Sequence, residues 1–249
     1  MGRTIGVNTS NSAVGARAMT IDIMFDFRTD AGGRDPDTYS PTLRRYHKIL
    51  WSKPLPTGAP FELTDSTLGA YLHHRSDLGE FWLSSDSVMQ TFIRWWKLRA
   101  IIEQMPASEN EEFMTVAYTI GGMMLFPGNR IDGRMTINGA RGLISSIADR
   151  MDLTLECIRR HYLHQDSPLG LTVRLYDDFF ALFGDFRGYV SFFLLEDLIN
   201  LDGGVKFFMP FDDFRAPHVP RYLETYKEYR RRSIEFIHAR NQRIAQLNI

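Results

Sequence analysis

Between Phe179 and Leu195 the chain reads FFALFGDFRGYVSFFLL. Segments that are apolar nearly all the way round have no face to offer water. The helices expected around 169–183 and 186–199 must therefore form the buried heart of the fold. Asp185 and Arg187 interrupt the run, so it is not read as a membrane span. A chain of 249 residues is long for one domain and short for two. No linker or repeat divides it, and the expected architecture is one α+β domain over residues 19–249. A β-rich N-terminal half of hairpins would pack against a mostly helical C-terminal half. Residues 1–18, MGRTIGVNTSNSAVGARA, contain no acid and no hydrophobic block. They are expected to form a disordered leader, with Met19 a candidate true start.

In the first third, IDIMFDF alternates as a half-buried strand does, and KPLPTGAPFELT is too proline-rich for a helix. AYLHHRSDLGEFWLSS reads as a hairpin connected through Ser76–Gly79, with Tyr71, His73 and Arg75 on one face. Helical spacing predicts a helix over 88–105, stopped by Pro106, and period two predicts a strand through Met114, Val116, Tyr118 and Ile120. From Leu143 onward helices are expected: ISSIADR running on into DLTLECIRRHYLH with Asp152 a possible cap, then a start at Ser167-Pro168. The last is a long helix opened by Pro220.

Formal net charge is −1, so no whole-molecule field steers the chain to nucleic acid or an anionic membrane. Arginine nonetheless supplies 24 of the 29 basic residues. Guanidinium forks suit carboxylate and phosphate recognition, although a codon bias would produce the same skew. The single cysteine, Cys157, excludes an internal disulfide and a cysteine zinc site; a buried, structural thiol and a reducing cytoplasm fit it.

The richest candidate site is GGMMLFPGNRIDGRMTINGARG, residues 121–142. Asp132-Gly133 is a tight-turn signature and is expected to tip a hairpin. Beyond it, Arg134 and Arg141 would supply charge, Asn138 a side-chain hydrogen bond, and Gly139 and Gly142 backbone access at a helix start. Together these make a reasonable anion site. A hairpin corner with glycines at positive φ and solvated arginines explains the same letters. The run is neither a Walker loop nor a dinucleotide fingerprint.

Other constellations are weaker. His73 is the nearest acid–base candidate, on condition that the first hairpin folds against this corner, and Glu80 offers Arg75 a cross-strand ion pair. His161, His164 and Asp166 lack a further identifiable ligand, and no metal site is expected. Arg231, Arg232 and His238 fit a loose ribonuclease pattern, but Glu224, Glu228 and Glu235 at helical spacing explain those arginines as a salt-bridged solvent face. No serine-hydrolase elbow, zincin helix or kinase set is present, and no cofactor is indicated.

The motifs FPGNRIDGRMTINGARG, IADRMDLTLECIRRHYL and FRGYVSFFLLEDL resemble those of a bacterial, largely actinobacterial family catalogued as a domain of unknown function. The resemblance runs from about Ile21 to Arg243 and implies a bacterial cytosolic protein of one domain. It transfers no catalytic residue. The functional expectation is thus a protein that binds a phosphate-bearing ligand, a nucleotide or short nucleic acid, at the 134–142 corner. The alternative is a protein–protein interaction module, for example in stress or phage defence, using an exposed stripe of Tyr222, Tyr226, Tyr229 and Phe236 on the last helix. No oligomeric state is indicated.

Overall fold

The computed structural model describes residues 20–66, 71–215 and 218–247. The expected leader, 1–18, lies outside the described residues. Four strands form one antiparallel sheet in the order β1 (Thr64–Asp65), β2 (Leu72–Ser76), β3 (Gly79–Ser87) and β4 (Met123–Pro127). Before it come α1 (Pro36–Tyr39) and α2 (Pro41–Trp51), and between β3 and β4 lie α3 (Arg99–Ile102) and α4 (Ala107–Ala117). Helices then dominate: α5 (Ile137–Leu143), α6 (Met151–Tyr162), α7 (Gly170–Arg174), α8 (Asp177–Ala181), α9 (Phe186–Phe192) and α10 (Leu223–Ala245). The architecture is α+β, as expected. Among the described residues no helix is long and apolar enough to cross a membrane.

The phenylalanine cluster is the heart of this arrangement. Phe179, Phe180, Phe183, Tyr189, Phe192 and Phe193 are all buried. Phe192 lies 4.9 Å from Phe193 and 5.0 Å from Phe183, and Trp51 of α2 meets Phe193 at 5.2 Å. Cys157 is fully buried and burial pushes its thiol up to about 11, which leaves it inert.

Several local expectations are corrected. IDIMFDF forms a turn and a short 3-10 helix, Phe27–Thr29, because the Asp26 carboxylate accepts the Arg28 amide and closes the chain on itself. Helix α2 was not anticipated, yet Ser40-Pro41 is a cap followed by proline at the first helical position, and Ser40 Oγ accepts the Leu43 amide. The expected strand through 114–120 is the end of α4 and the turn beyond it. Phe113, Val116, Ala117 and Ile120 are buried at helical spacing, and that periodicity outweighs the β-branched residues among them.

The expected helix over 88–105 is mostly loop. Its apolar residues Val88, Phe92, Leu98 and Ile102 do reach the core, but Phe92 adopts a left-handed φ of 61°, which breaks any helix there. At the turn, Asp132 and Gly133 have φ of 52° and 70°, and the Arg134 amide donates to the Ile131 carbonyl at 2.9 Å. The tight turn exists, but its flanks are not strands, so it tips no hairpin. Helix α5 begins five residues earlier than Gly142, at Ile137, because Thr136 Oγ1 caps it. Ala148 and Asp149, both left-handed, then separate it from α6.

Helix α10 packs against α3, α4 and the turns at Ile120–Gly122 and Glu196–Leu198. Tyr226, Tyr229 and Phe236 are buried and only Tyr222, at 72% exposure, faces solvent, so the proposed docking stripe is core. Arg231 and Arg232 pair with Glu228, and Arg231 also with Glu235, which is the solvent face expected for them. Tyr226 and Tyr229 hydroxyls donate to the Thr91 and Gln90 carbonyls, tying α10 to the loop after β3.

Candidate functional site

Arg141 is the residue around which the site is built, though not as expected. It lies in α5 with its side chain wholly buried. Its Nη1 donates to Asp86 Oδ2 at 2.8 Å and to the Ser87 carbonyl at 3.2 Å, and its Nη2 donates to the Asp149 carbonyl at 2.9 Å. Nε lies 3.3 Å from Asp149 Oδ1 and donates to Thr154 Oγ1 at 3.3 Å. Asp86 ends the long strand β3, and Asp149 is held at its left-handed φ of 57° while its amide donates to the Arg141 carbonyl. Strain of this kind persists only where neighbours over-determine it. Gln90 Nε2 adds a bond to Asp149 Oδ2 at 3.1 Å.

Above this buried guanidinium opens a cleft of about 490 Å³. Asp37, Asp86 and Asp149 line it with Gln90 and Ser87; Trp95 and Tyr118 add aromatic surface, and Arg34 and Arg94 belong to the same lining. Asp37 follows the cap of α1, where the Asp35 carboxylate accepts the Asp37 amide. Its Oδ1 is sealed from solvent and has no hydrogen-bond partner among the described residues. Burial, then repulsion by Asp86 and Asp35, holds the Asp37 carboxyl well above the ordinary range. Burial likewise pushes Asp86 up to about 7, against the attraction of Arg141. Asp86 thus helps to hold the Asp37 proton in place, while burial and the neighbouring Asp149 raise Asp86 itself.

This has a consequence for stability. A carboxyl whose folded value is raised binds its proton more tightly in the folded state. Its contribution is therefore favourable below the ordinary carboxylate value and is lost as pH rises toward 7. Asp86→Asn should gain on the wild type by about 1–3 kcal/mol between pH 4 and pH 7.5, the partial exposure of Asp86 keeping the figure below the full shift. Paired melting curves across that range measure it; parallel curves would refute it.

The other anticipated residues are dispersed. Arg134 is exposed at the turn, so it and the buried Arg141 present no common cationic surface. The Asn138 amide donates to Ser84 Oγ at 3.0 Å and more weakly to the Ser85 carbonyl. The Gly139 amide is taken by Thr136 Oγ1, and a Cβ there would lie 2.6 Å from Met135 Cγ. Gly142 faces open space in the last turn of α5. His73 is 2.9 Å from Glu80 Oε1 on the hairpin and does not line the cleft. Glu80 stands opposite Arg75 and 4.0 Å from its guanidinium, the cross-strand pair expected. His161 meets Asp177 instead of a metal set. Among the described residues no group of three or more His, Cys, Asp or Glu side chains could hold a metal ion.

A larger groove of about 690 Å³ lies between residues 205–211 and α10, but Arg231, Arg232 and Glu235 there are engaged in ion pairs along the helix. It holds no partnerless or perturbed group comparable to Asp37 and Asp86. Sequence reasoning missed these two aspartates because Asp35-Pro36-Asp37 reads as turn chemistry and Asp86 as one polar letter in SSDS. Asp149 stands among the acids of the sequence without a partner, since Arg141 and Asp86 meet across 55 positions.

Comparison with curated proteins and with solved structures returns no match. A family model described as "Family of unknown function (DUF6994)" matches residues 21–244. The chain thus belongs to this family of unknown function, and the carboxylate cleft around Arg141 lies wholly within the matched span.

Proposed function

We propose that the cleft is a general acid–base site acting on a phosphate-bearing ligand, a nucleotide or nucleic acid. The observation that carries this reading is the presence in one open cleft of Asp37, whose sealed Oδ1 has no hydrogen-bond partner among the described residues, and of Asp86, raised to about 7. A carboxyl group tuned near neutral pH serves equally as acid and base, and a second carboxyl held above its ordinary range in the same cleft adds a proton donor. Arg141 positions Asp86 and Asp149 from below and is too buried to contact ligand itself. Arg34 and Arg94 are exposed and make no ion pair among the described residues; they would receive the phosphate. Phosphate binding is accordingly assigned to this cleft and not to the 134–142 corner. The resemblance to a bacterial family and the single buried thiol support a bacterial cytoplasmic setting.

Thermal-shift measurements with AMP, ribose 5-phosphate and inorganic phosphate, made from about pH 5 to about pH 8.5, test the reading. A ligand present at about 100 times its Kd stabilises by about 2.7 kcal/mol, a rise of several degrees for a chain of this size. The rise should disappear in Arg34→Ala/Arg94→Ala and should lose its inflection near neutral pH in Asp86→Asn. No shift with any of the three probes, or a shift indifferent to both arginines, would contradict it.

A further inference from the structure

The loop that walls the cleft continues into an exposed aromatic and basic stretch. The Tyr226 and Tyr229 hydroxyls hold the Thr91 and Gln90 carbonyls, and Phe92 turns the chain outward at φ 61° with its ring buried. Trp95, which lines the cleft, packs edge-on against Phe92 at 5.3 Å. The next residue, Trp96, is 79% exposed, the most exposed aromatic side chain among the described residues. Lys97 Nζ lies 5.7 Å from its ring centroid. Arg94 and Lys97 make no ion pair among the described residues, whereas the nearby acid Glu103 is engaged by Arg99. An indole held in water beside unpaired cations, one residue beyond the wall of a cleft, complements a ligand with both flat rings and phosphates. Bases stack on such platforms while the backbone follows the charge.

Resting on the cleft reading above, we infer that the ligand is a single-stranded nucleic acid, with one nucleotide in the cleft and the neighbouring base stacked on Trp96. Arg94, which lines the cleft and precedes Trp96 by two residues, would then meet the linking phosphate. A free nucleotide would leave Trp96 without a role. A balanced whole-molecule charge with a local basic edge fits a strand that touches the protein at one rim and does not wrap it.

Fluorescence anisotropy with labelled oligo-dT and oligo-U of about ten nucleotides, within the usual site size for such surfaces, tests the inference. Both should bind more tightly than AMP or UMP, with affinity falling as salt is raised. Trp96→Ala should weaken oligonucleotide binding about fivefold to a hundredfold, leave mononucleotide binding unchanged, and leave the melting temperature unaltered because the side chain is exposed. Oligonucleotides binding no better than mononucleotides, or a silent Trp96→Ala, would overturn the strand assignment alone. Failure of the mononucleotide probes together with insensitivity to Arg34→Ala/Arg94→Ala overturns the cleft reading beneath it. Trp96-dependent sedimentation with phosphatidylserine vesicles, without oligonucleotide binding, would overturn it in favour of a membrane surface.

Discussion

Replacing Arg141 with methionine is expected to remove about 3–5 kcal/mol of stability at pH 7.5, the range found when one partner of a buried ion pair is deleted. The side chain is fully buried and joins Asp86, Asp149 and two backbone carbonyls. Without it, carboxylates at the cleft floor face one another with no cation between them. The loss should be pH-dependent: at pH 5 Asp86, raised to about 7, is protonated and needs its partner less, so the defect should shrink. Urea unfolding at the two pH values reads both effects. A defect of equal size at both would mean that packing, and not charge, accounts for Arg141.

Arg240→Met is expected to cost about 3 kcal/mol or more. This guanidinium, buried in α10, has no ion pair among the described residues; it donates to the carbonyls of Phe193, Gly121 and Met123 at 3.0, 3.0 and 2.7 Å. Removing it strands three buried acceptors, each worth about 1–3 kcal/mol, and relieving a buried charge offsets only part of that. The variant should also alter His47. Burial first, and then the charge of Arg240, lowers the His47 imidazole to about 3. The indole of Trp51 donates to His47 Nδ1, so Nε2 carries the hydrogen given to Ser85 Oγ. Because the folded value is depressed, this neutral histidine contributes stability above about pH 6.5 that is lost as pH falls toward 3. In Arg240→Met the imidazole should titrate higher, and stability should fall less steeply as pH drops below about 6.5. Carbon-13 or proton titration of the histidine ring measures it, and an unmoved His47 would refute the coupling.

Much of the fold was legible where burial and capping act locally. Phe179, Phe180, Phe183, Phe192 and Phe193 could only be core, although the same helices turn Arg174, Asp177, Asp178 and Arg187 to solvent. The β2–β3 hairpin follows from alternation, and α10 from its charged outer rows. What failed had competing local signals. Residues 113–120 place Met114, Val116, Tyr118 and Ile120 at alternating positions, while the residues that become buried, Phe113, Val116, Ala117 and Ile120, are spaced helically. Residues 88–102 have helical spacing but are pinned by Gln90, whose side chain accepts the Phe92 amide, and by the tyrosines of α10. Such long-range bonds leave no mark within a window of ten residues.

The candidate site was half legible for the same reason. The stretch 121–142 contains Arg141, the residue on which the cleft is built, and the reading of it as an anion contact came from its neighbours Arg134, Gly139 and Gly142. The structure turns it inward, because α5 starts at the Thr136 cap and places position 141 on its buried face. Asp37 and Asp86 become a pair only when α1 packs beside the end of β3, which no spacing rule announces.

The central claim is that Asp37 and Asp86 both titrate above the ordinary aspartate range in one open cleft, Asp86 near 7. Carbon-13 carboxyl shifts of aspartate-labelled protein, followed from pH 3 to pH 9, address it directly, with Asp37→Asn and Asp86→Asn supplying the assignments. The account predicts an aspartate transition near 7 that is absent from Asp86→Asn, and an Asp37 transition above the ordinary range that moves down in Asp86→Asn, as loss of a repelling neighbour requires. Every aspartate titrating near the ordinary value of about 4 would contradict it.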